Sequence, residues 1–400
     1  MFKAMFGLGL LGILALGDGR PAVAGESAVP AVITLTQPRD FQVVQRTAAA
    51  GGRVVIAGSL SSLPGALLSA RIVGTNEAGA FMGPWEPLAM DPRVAAFRGG
   101  IACPAGGWYR LEVRAARGET VVAEGRVEHL GMGEVFVVAG QSNSANYGEE
   151  KQETATGLVA AWDGTNWRLA KDPQPGAEGG GGSFLPPLGD RLAKELGVPV
   201  GFVSLGVGAT SVREWLPTGM AFDRPPTLTR NVVTVGTNEW EASGRIFEHF
   251  SGRLKALGTH GFRAVLWHQG ESDAHQADPT RTLPGEAYRR LLEELIRATR
   301  REIGWEAPWF VAQVSYHIPT DTGDSAIQAA QQAVAADGMA LAGPDTDTLT
   351  GERRENHGQG VHLSALGLRE HGALWAEKVL PWLRTQLASP TPAGKAGPGR

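Results

Sequence analysis

The chain has 400 residues, of which 42% are hydrophobic and 20% are charged, and its formal net charge is -4 at pH 7. This composition is typical of a globular protein with enough apolar material for two or three domains. Because Lys and Arg are not in excess, the charge pattern argues against a nucleic-acid-binding protein. No acidic tract occurs either. The single cysteine, Cys103, excludes an intrachain disulfide and a clustered thiolate metal site, and its place in a predicted strand favours a buried apolar role.

Residues 1–24 have the pattern of a secretory signal peptide. Lys3 provides the positive start, residues 5–16 form a short apolar core, and Ala-Val-Ala at 22–24 is a cleavage site before Gly25. The core is too short to cross a bilayer, and no later segment is long and apolar enough to do so. The sequence therefore predicts a soluble protein that is secreted or periplasmic, with an uncleaved anchor as the less favoured alternative.

Residues 25–131 contain short apolar runs separated by Gly, Pro and Asn turns. Polar and apolar side chains alternate over residues 108–114, as in a strand with one buried face. Several short strands at regular spacing predict a small, immunoglobulin-like β-sandwich. No cluster of catalytic side chains is visible in this region, so a packing or spacer role is favoured over glycan binding. The predicted strands cover residues 32–36, 41–44, 53–57, 67–73, 107–114 and 120–127.

After residue 131 the pattern changes to strand, polar loop and helix, which is typical of an α/β fold. We predict a doubly wound, mostly parallel, five-stranded sheet over residues 132–388, followed by a disordered tail at 389–400. The predicted strands are 135–139, 200–205, 264–268, 309–314 and 339–342, and the predicted helices are 188–196, 245–257, 284–303 and 363–383. The long loop at 172–187 is interpreted either as a wall of a cleft or as a flexible excursion.

Three clusters of polar residues follow predicted strands, and a fourth precedes the last predicted helix. Ligands bind beyond the carboxyl ends of parallel strands, so these clusters are candidate site residues. The first cluster places Ser142 directly after a buried Val- and Phe-rich strand. The second contains Gly208, whose exposed amide could face a developing oxyanion. The third contains Gln269, Glu271 and Asp273, and the fourth contains His362.

These clusters contain a candidate for every part of an acyl-transfer site. Such a site needs a serine nucleophile, a histidine base, an acid that orients the histidine, and oxyanion donors. A metal site is not favoured, because Gly270 interrupts the spacing of the histidines at 268 and 275. His317 and His357 are interpreted as a wall histidine and a solvated loop histidine.

The motifs Gly140-Gln-Ser-Asn143, Gly208-Ala-Thr-Ser-Val-Arg-Glu-Trp215, Gln269-Gly-Glu-Ser-Asp273 and Val361-His-Leu-Ser364 resemble those of the SGNH hydrolase superfamily. The resemblance covers roughly residues 133–387 and is greatest to the sialate O-acetylesterase and plant-type carbohydrate esterase branch. It implies an SGNH or flavodoxin-like three-layer sandwich. It also implies a serine esterase that removes acetyl groups from carbohydrate hydroxyls without a metal or a cofactor.

The resemblance also implies roles for individual residues. Ser142 matches the nucleophile and His362 matches the base. The oxyanion hole would consist of the N–H groups of Ser142 and Gly208 and the side-chain amide of Gln269. Much of the superfamily has an Asp three residues before the histidine, where this chain has Gln359. Some carbohydrate esterases of this branch use the Glu of Gln-Gly-Glu instead, so the resemblance implies that Glu271 is the acid.

Several alternatives remain at this stage. Asp273 and Asp347 are alternative acids, and a Ser-His dyad without an acid is another. The same fold could instead belong to a lipid or aryl esterase, although Trp215 and Trp267 favour a sugar if they line the cleft. From a different functional class, the chain could be an inactive glycan-binding module. The sequence does not predict the sugar, the hydroxyl position or the oligomeric state.

Overall fold

The computed structural model describes residues 31–61, 65–76, 78–91 and 93–388. The predicted signal peptide and the predicted tail at 389–400 lie outside these residues. The strands up to residue 140 are β1 Ile33–Gln37, β2 Gln42–Gln45, β3 Gly51–Leu60, β4 Leu67–Asn76, β5 Gly79–Met82, β6 Glu86–Leu88, β7 Met90–Asp91, β8 Ala96–Pro104, β9 Gly106–Arg117 and β10 Thr120–Gly140.

Two groups of these strands share a hydrophobic core. One group is antiparallel with the order β1-β3-β8-β7. In the other, β4 pairs with β5, β6 and β9, and β9 pairs with the first half of β10. Alternate residues point into the core, as Leu111 and Val113 do on β9, because side chains alternate along a strand. Cys103 is buried on β8, and burial raises the pKa of its thiol to about 12, as expected of an unreactive cysteine.

The remaining elements alternate strands and helices. The strands are β11 Val159–Trp162, β12 Trp167–Leu169, β13 Val200–Ser204, β14 Ala221–Phe222, β15 Val232–Gly236, β16 Glu239–Ala242, β17 Ala264–His268, β18 Trp309–Gln313 and β19 Leu341–Asp345. The helices are α1 Leu185–Leu196, α2 Arg245–Leu257, α3 Gly285–Ile303, α4 Ser325–Ala336, α5 Glu355–Gly358 and α6 Ala365–Ala388. Single 3₁₀ turns occur at Ser142–Ser144, Val212–Trp215 and Gly351–Arg353.

The central sheet has the strand order β12-β11-β13-β10-β17-β18-β19. Neighbouring strands from β11 to β19 are parallel, and β12 is an antiparallel edge strand. The sheet is therefore wider than the five strands predicted. Strands β11 and β12 were not predicted, because both are short and lie outside the regular alternation of strands and helices. Helix α4 was also not predicted, because its many Ala and Gln residues give only a weak apolar stripe.

Helices cover both faces of this sheet. Val135, Val137 and Ala139 of β10 belong to one core with α2, α3 and α4. Phe136 and Val138, on the opposite face of the same strand, belong to a second core with α1 and α6. A strand buried on both faces is almost entirely apolar, which explains the uninterrupted run that ends just before Ser142.

Strand β10 belongs to both parts of the structure. Its first half pairs with β9, and its second half lies between β13 and β17 in the parallel sheet. The predicted boundary at residue 131 therefore falls inside a continuous strand, and the division into two domains there stays a prediction. Nearby, the fully buried carboxylate of Glu134 binds Arg46 at 2.6 Å and Arg263 at 2.7 Å, which ties the segment after β2 to the start of β17.

Candidate active site

Ser142 lies at the carboxyl end of β10, on the first residue of a 3₁₀ turn. Gly140 precedes it with φ of +130°, and a Cβ atom there would lie 2.0 Å from the carbonyl oxygen of His268. Only glycine fits this close crossing, which lets the chain leave the sheet. Because Ser142 is the first residue of the turn, its N–H has no acceptor within the turn. Ser142 is therefore held at the sheet edge with its amide pointing out of the helical turn.

The segment after Ser142 contacts the segment that contains His362. Asn143 donates from Nδ2 to the carbonyl oxygen of Val361 at 3.2 Å, and the N–H of Glu149 donates to Leu363 at 2.9 Å. The ring of Tyr147 stacks on the imidazole of His362 with a centroid distance of 5.3 Å. Both neighbours of His362 in the chain are thus bonded to residues that follow Ser142. The structure therefore brings the first and fourth polar clusters together.

The carboxylate that contacts His362 belongs to Glu355. Its Oε1 lies 2.9 Å from Nδ1 of His362 and accepts the backbone N–H of the same histidine at 3.0 Å. A hydrogen bond from Nδ1–H fixes the tautomer in which Nε2 is free to accept a proton. Glu271, the acid predicted from the sequence, accepts from Nδ2 of Asn143 at 3.0 Å with its Oε1, and its role as the acid stays a prediction.

Glu355 reaches His362 because the chain between them folds back on itself. The N–H of Glu355 donates to the carbonyl oxygen of His362 at 3.0 Å. Asn356 and His357 both have left-handed backbone angles, with φ of +52° and +55°. Two such residues in succession are uncommon and reverse the chain direction. Gln359, three residues before His362, is exposed. A survey of every carboxylate within ten residues of His362 would have included Glu355.

Burial lowers the pKa of His362 below its usual value, and the positive charge of Arg354 acts in the same direction. The carboxylate of Glu355 opposes this effect but does not outweigh burial. The imidazole is therefore neutral near pH 7 and can accept a proton.

Gly208 lies where the second polar cluster approaches this region. A Cβ atom at this position would lie 2.4 Å from the hydroxyl oxygen of Tyr147, so a side chain would push against the ring that stacks on His362. The N–H of Gly208 donates to Oε2 of Glu178 at 2.9 Å. The predicted oxyanion donor thus faces an anionic group in this structure.

The loop that contains Glu178 is an ordered wall of the site. The N–H of Glu178 donates to the carbonyl oxygen of Gly206 at 3.0 Å, and its carbonyl accepts from Asn146 at 2.9 Å. Gly148 and Gly182 exchange two further backbone hydrogen bonds, at 2.9 and 2.8 Å. Of the two interpretations of residues 172–187, the structure favours the cleft wall over the flexible excursion.

The side-chain amide of Gln269 belongs to a buried network. Its Nε2 lies 2.8 Å from Oδ2 of Asp273, 3.1 Å from the carbonyl oxygen of Thr210 and 3.3 Å from Oε1 of Gln141. An amide has two N–H groups, and three acceptors within the protein compete for them here. The donation of Gln269 to the oxyanion therefore stays a prediction, in which the amide would have to give up one of these partners.

The two alternative acids have structural partners. Asp273 forms a fully buried ion pair with Arg213 at 3.0 Å and accepts the hydroxyl of Ser211 at 2.5 Å. Asp347 accepts the N–H groups of Ser315 and Tyr316, which holds the loop after β18. Each of these carboxylates therefore fixes a loop of the site, and Glu355 takes the place at the imidazole.

Comparison with known proteins identifies the family. The family model described as "Carbohydrate esterase, sialic acid-specific acetylesterase" matches residues 132–381. The chain belongs to this carbohydrate esterase family. A carbohydrate acetylesterase from Xanthomonas citri is 17% identical with a TM-score of 0.50, covering 86% of this chain and 74% of that protein, and this likeness shows the fold.

A second solved structure is a carbohydrate esterase family 2 enzyme plus carbohydrate binding domain from Corynascus thermopiles (Myceliophthora fergusii). It is 13% identical with a TM-score of 0.37 and covers 87% of this chain and 99% of that protein. No curated protein sequence matches the chain.

The two tryptophans in the motifs of this carbohydrate esterase are core residues. Trp215 and Trp267 are fully buried and meet edge to face at a centroid distance of 5.1 Å. They anchor the second and third polar clusters to the core that contains α2 and α3. Their burial favours a place in the core over a place on the cleft wall.

Two other histidines of the esterase, His317 and His268, have separate roles. His317 contacts the carbonyl oxygen of Glu271 at 2.5 Å through Nε2 and Asp321 at 2.6 Å through Nδ1, so it braces the loop behind Asn143. His268 is fully buried, and burial lowers its pKa to about 3, so it is neutral at physiological pH. Within the described part of the chain, no group of three or more His, Cys, Asp or Glu residues is arranged to hold a metal ion. No helix in the same residues is long and apolar enough to span a membrane.

Glu271 is a buried carboxyl group of the esterase with a raised pKa. Burial raises its pKa to about 7, although the hydrogen bond from Asn143 acts in the opposite direction. Its pKa in the folded state is therefore above that of the unfolded chain, and the folded protein binds the extra proton. Stability from this group is complete below the unfolded pKa of 4.5 and is lost as the pH rises through about 7.

We expect Glu271→Gln to become more stable relative to the parent protein as the pH rises, because the variant has no carboxyl group to ionise in the interior. A pKa difference of this size corresponds to at most about 3 kcal/mol between roughly pH 5 and pH 8.5. Denaturant unfolding at the two pH values measures this difference. A stability difference between the two proteins that does not change with pH would contradict the prediction.

Proposed function

We propose that the protein is an exported serine esterase that removes O-acetyl groups from carbohydrate hydroxyls. The observation that carries the proposal is the contact between Glu355 and Nδ1 of His362, next to the segment of Ser142. Membership of the carbohydrate esterase family supports the substrate class. Export rests on the signal-peptide pattern of residues 1–24.

In the first half-reaction, Oγ of Ser142 attacks the carbonyl carbon of the acetyl ester while Nε2 of His362 accepts the hydroxyl proton. Glu355 stabilises the imidazolium that forms and keeps the ring in the productive orientation. The carbonyl oxygen becomes an oxyanion, which the N–H groups of Ser142 and Gly208 stabilise. The bond to the sugar oxygen then breaks, and His362 returns its proton to that oxygen. The sugar leaves with a free hydroxyl, and the acetyl group remains on Ser142.

In the second half-reaction, water attacks the acetyl-enzyme. His362 again accepts a proton, now from the water, and a second oxyanion forms in the same place. When it collapses, His362 gives its proton to Oγ of Ser142 and acetic acid leaves, which then ionises to acetate in solution. The lowered pKa of His362 is useful for both steps, because the ring must be neutral when each begins. No metal or cofactor takes part in the proposed reaction.

The test is acetate release from acetylated sialic acids, xylan and pectin, with p-nitrophenyl acetate and p-nitrophenyl octanoate as references. We expect release from at least one carbohydrate and little turnover of the octanoate. Turnover of octanoate ahead of every acetylated carbohydrate would indicate a lipid or aryl esterase. Absence of turnover with every substrate would indicate a glycan-binding module without catalytic activity.

A further inference from the structure

Glu178 places a negative charge at the point where the proposed reaction develops one. Its Oε2 accepts the N–H of Gly208 at 2.9 Å. The same oxygen lies 3.5 Å from the hydroxyl of Tyr147 and 3.7 Å from Nη2 of Arg230. Tyr147 in turn stacks on the proposed base, His362. Three donors thus converge on one carboxylate oxygen beside the catalytic histidine.

This arrangement cannot persist during the reaction. An amide N–H that binds a carboxylate is not available to the acetyl oxygen, and two like charges at the same site repel each other. The oxyanion can use the Gly208 amide only after the carboxylate of Glu178 has moved. The contact also indicates that this amide points at a site suited to an anion.

Only the side chain of Glu178 is free to move. Its backbone is bonded to Gly206 and Asn146, which hold the loop in place. The side chain is 45% exposed, and that of Arg230 is 47% exposed. Both residues line a pocket of about 380 Å³, which gives the carboxylate space to rotate. Arg230 also donates from Nη2 to the carbonyl oxygen of Gly208, so its guanidinium lies next to the same peptide.

We infer that Glu178 is a displaceable carboxylate, which occupies the Gly208 amide in the free enzyme and shifts to Arg230 when the acetyl ester binds. This inference rests on the proposed function. A closer ion pair with Arg230 would compensate the carboxylate for the hydrogen bond that it gives up. Arg230 therefore acts on catalysis through Glu178 and is a positioning residue, without direct contact with the acetyl group.

A double-mutant cycle on p-nitrophenyl acetate tests this inference. We expect Glu178→Ala to raise kcat/KM by roughly 3- to 10-fold, because the amide is unoccupied. Arg230→Ala should lower kcat/KM by about tenfold, because Glu178 then has no second partner. In the double variant the loss caused by Arg230→Ala should disappear, so that its kcat/KM equals that of Glu178→Ala within about twofold.

The inhibition constant of acetate is a second measurement. It should not fall in Glu178→Ala if the role of Glu178 is purely structural. We expect the inhibition constant of acetate to fall several-fold in Glu178→Ala, because the product carboxylate can bind the vacant amide. Glu178→Gln keeps an oxygen that accepts from Gly208 but lacks the charge, so its kcat/KM should lie between those of the parent protein and Glu178→Ala. Glu153→Ala is the matched control, since that exposed glutamate pairs with Lys171. Its kcat/KM should equal that of the parent protein.

Two results would overturn the inference. A loss of activity in Glu178→Ala with weaker acetate inhibition would show that Glu178 only supports the loop. A loss from Arg230→Ala that persists in the Glu178→Ala background would show that Arg230 acts on the substrate itself. Ser142→Ala separates these outcomes from failure of the proposed function. If that variant is inactive and the cycle is additive, only the role of Glu178 is rejected.

Discussion

Ser142→Ala is expected to lower kcat for acetate release by about 10⁴- to 10⁶-fold, as removal of the nucleophile does in other serine hydrolases. The variant retains the histidine, the carboxylate and the backbone amides but cannot form the acetyl-enzyme. Turnover is measured as acetate release at saturating substrate, with a Ser142→Ala preparation that is free of parent protein. Denaturant unfolding of the variant and of the parent protein is the stability control, and both should unfold at the same denaturant concentration. The substitution removes one hydroxyl group from a buried turn, and the unfolding control excludes a loss of stability as the cause of the lost turnover.

Mass spectrometry gives an independent check. Brief exposure to p-nitrophenyl acetate should add one acetyl group to the parent protein and none at this position in Ser142→Ala. Activity of the variant within tenfold of the parent protein would reject Ser142 as the nucleophile.

Glu355→Gln is expected to lower kcat by about 10³- to 10⁴-fold, with a much smaller change in KM. The neutral amide cannot stabilise an imidazolium. Its NH₂ group can also donate to Nδ1 of His362, which favours the unproductive tautomer with the proton on Nε2. Steady-state kinetics on an acetyl ester between about pH 6 and pH 9 measures the loss across the range in which the parent histidine is neutral.

Two other substitutions serve as controls for Glu355. Glu352→Gln makes the same chemical change at an exposed position three residues earlier and should leave kcat unchanged. Glu271→Gln changes a buried carboxyl that contacts Asn143 and should cost much less than Glu355→Gln. If Glu271→Gln proves to be the more damaging of the two, the acid position belongs to Glu271 after all.

The sequence was informative about the places where strands end. Long apolar runs such as residues 135–139 can be recognised without a structure, because a strand covered on both faces has few polar residues. The polar residues that follow such runs must then lie at one edge of the sheet. This reasoning placed Ser142 and Gly208 at that edge. In the structure the segment after Ser142 contacts that of His362, and Gly208 lies next to Tyr147 of the former segment.

Other features depended on local geometry that a sequence pattern does not encode. Glu355 reaches His362 through a left-handed turn at Asn356 and His357, two residues that are not glycine. The direction of the Gln269 amide depends on Asp273, which is itself fixed by Arg213 sixty positions away in the chain. A short motif identifies the residue types at a site but not the partner to which each side chain is bonded.

The continuity of β10 has a consequence for how the chain can vary. Because one strand is paired in both halves of the protein, its register is set twice, by β9 and by β13 and β17. Insertion of a single residue between positions 134 and 138, where the pairing with β13 and β17 is regular, would rotate every later side chain of the strand to the opposite face. The serine would then turn away from its histidine, although no residue of the site had changed. We therefore expect length changes to be tolerated in the turns of the N-terminal sheets but not within this strand.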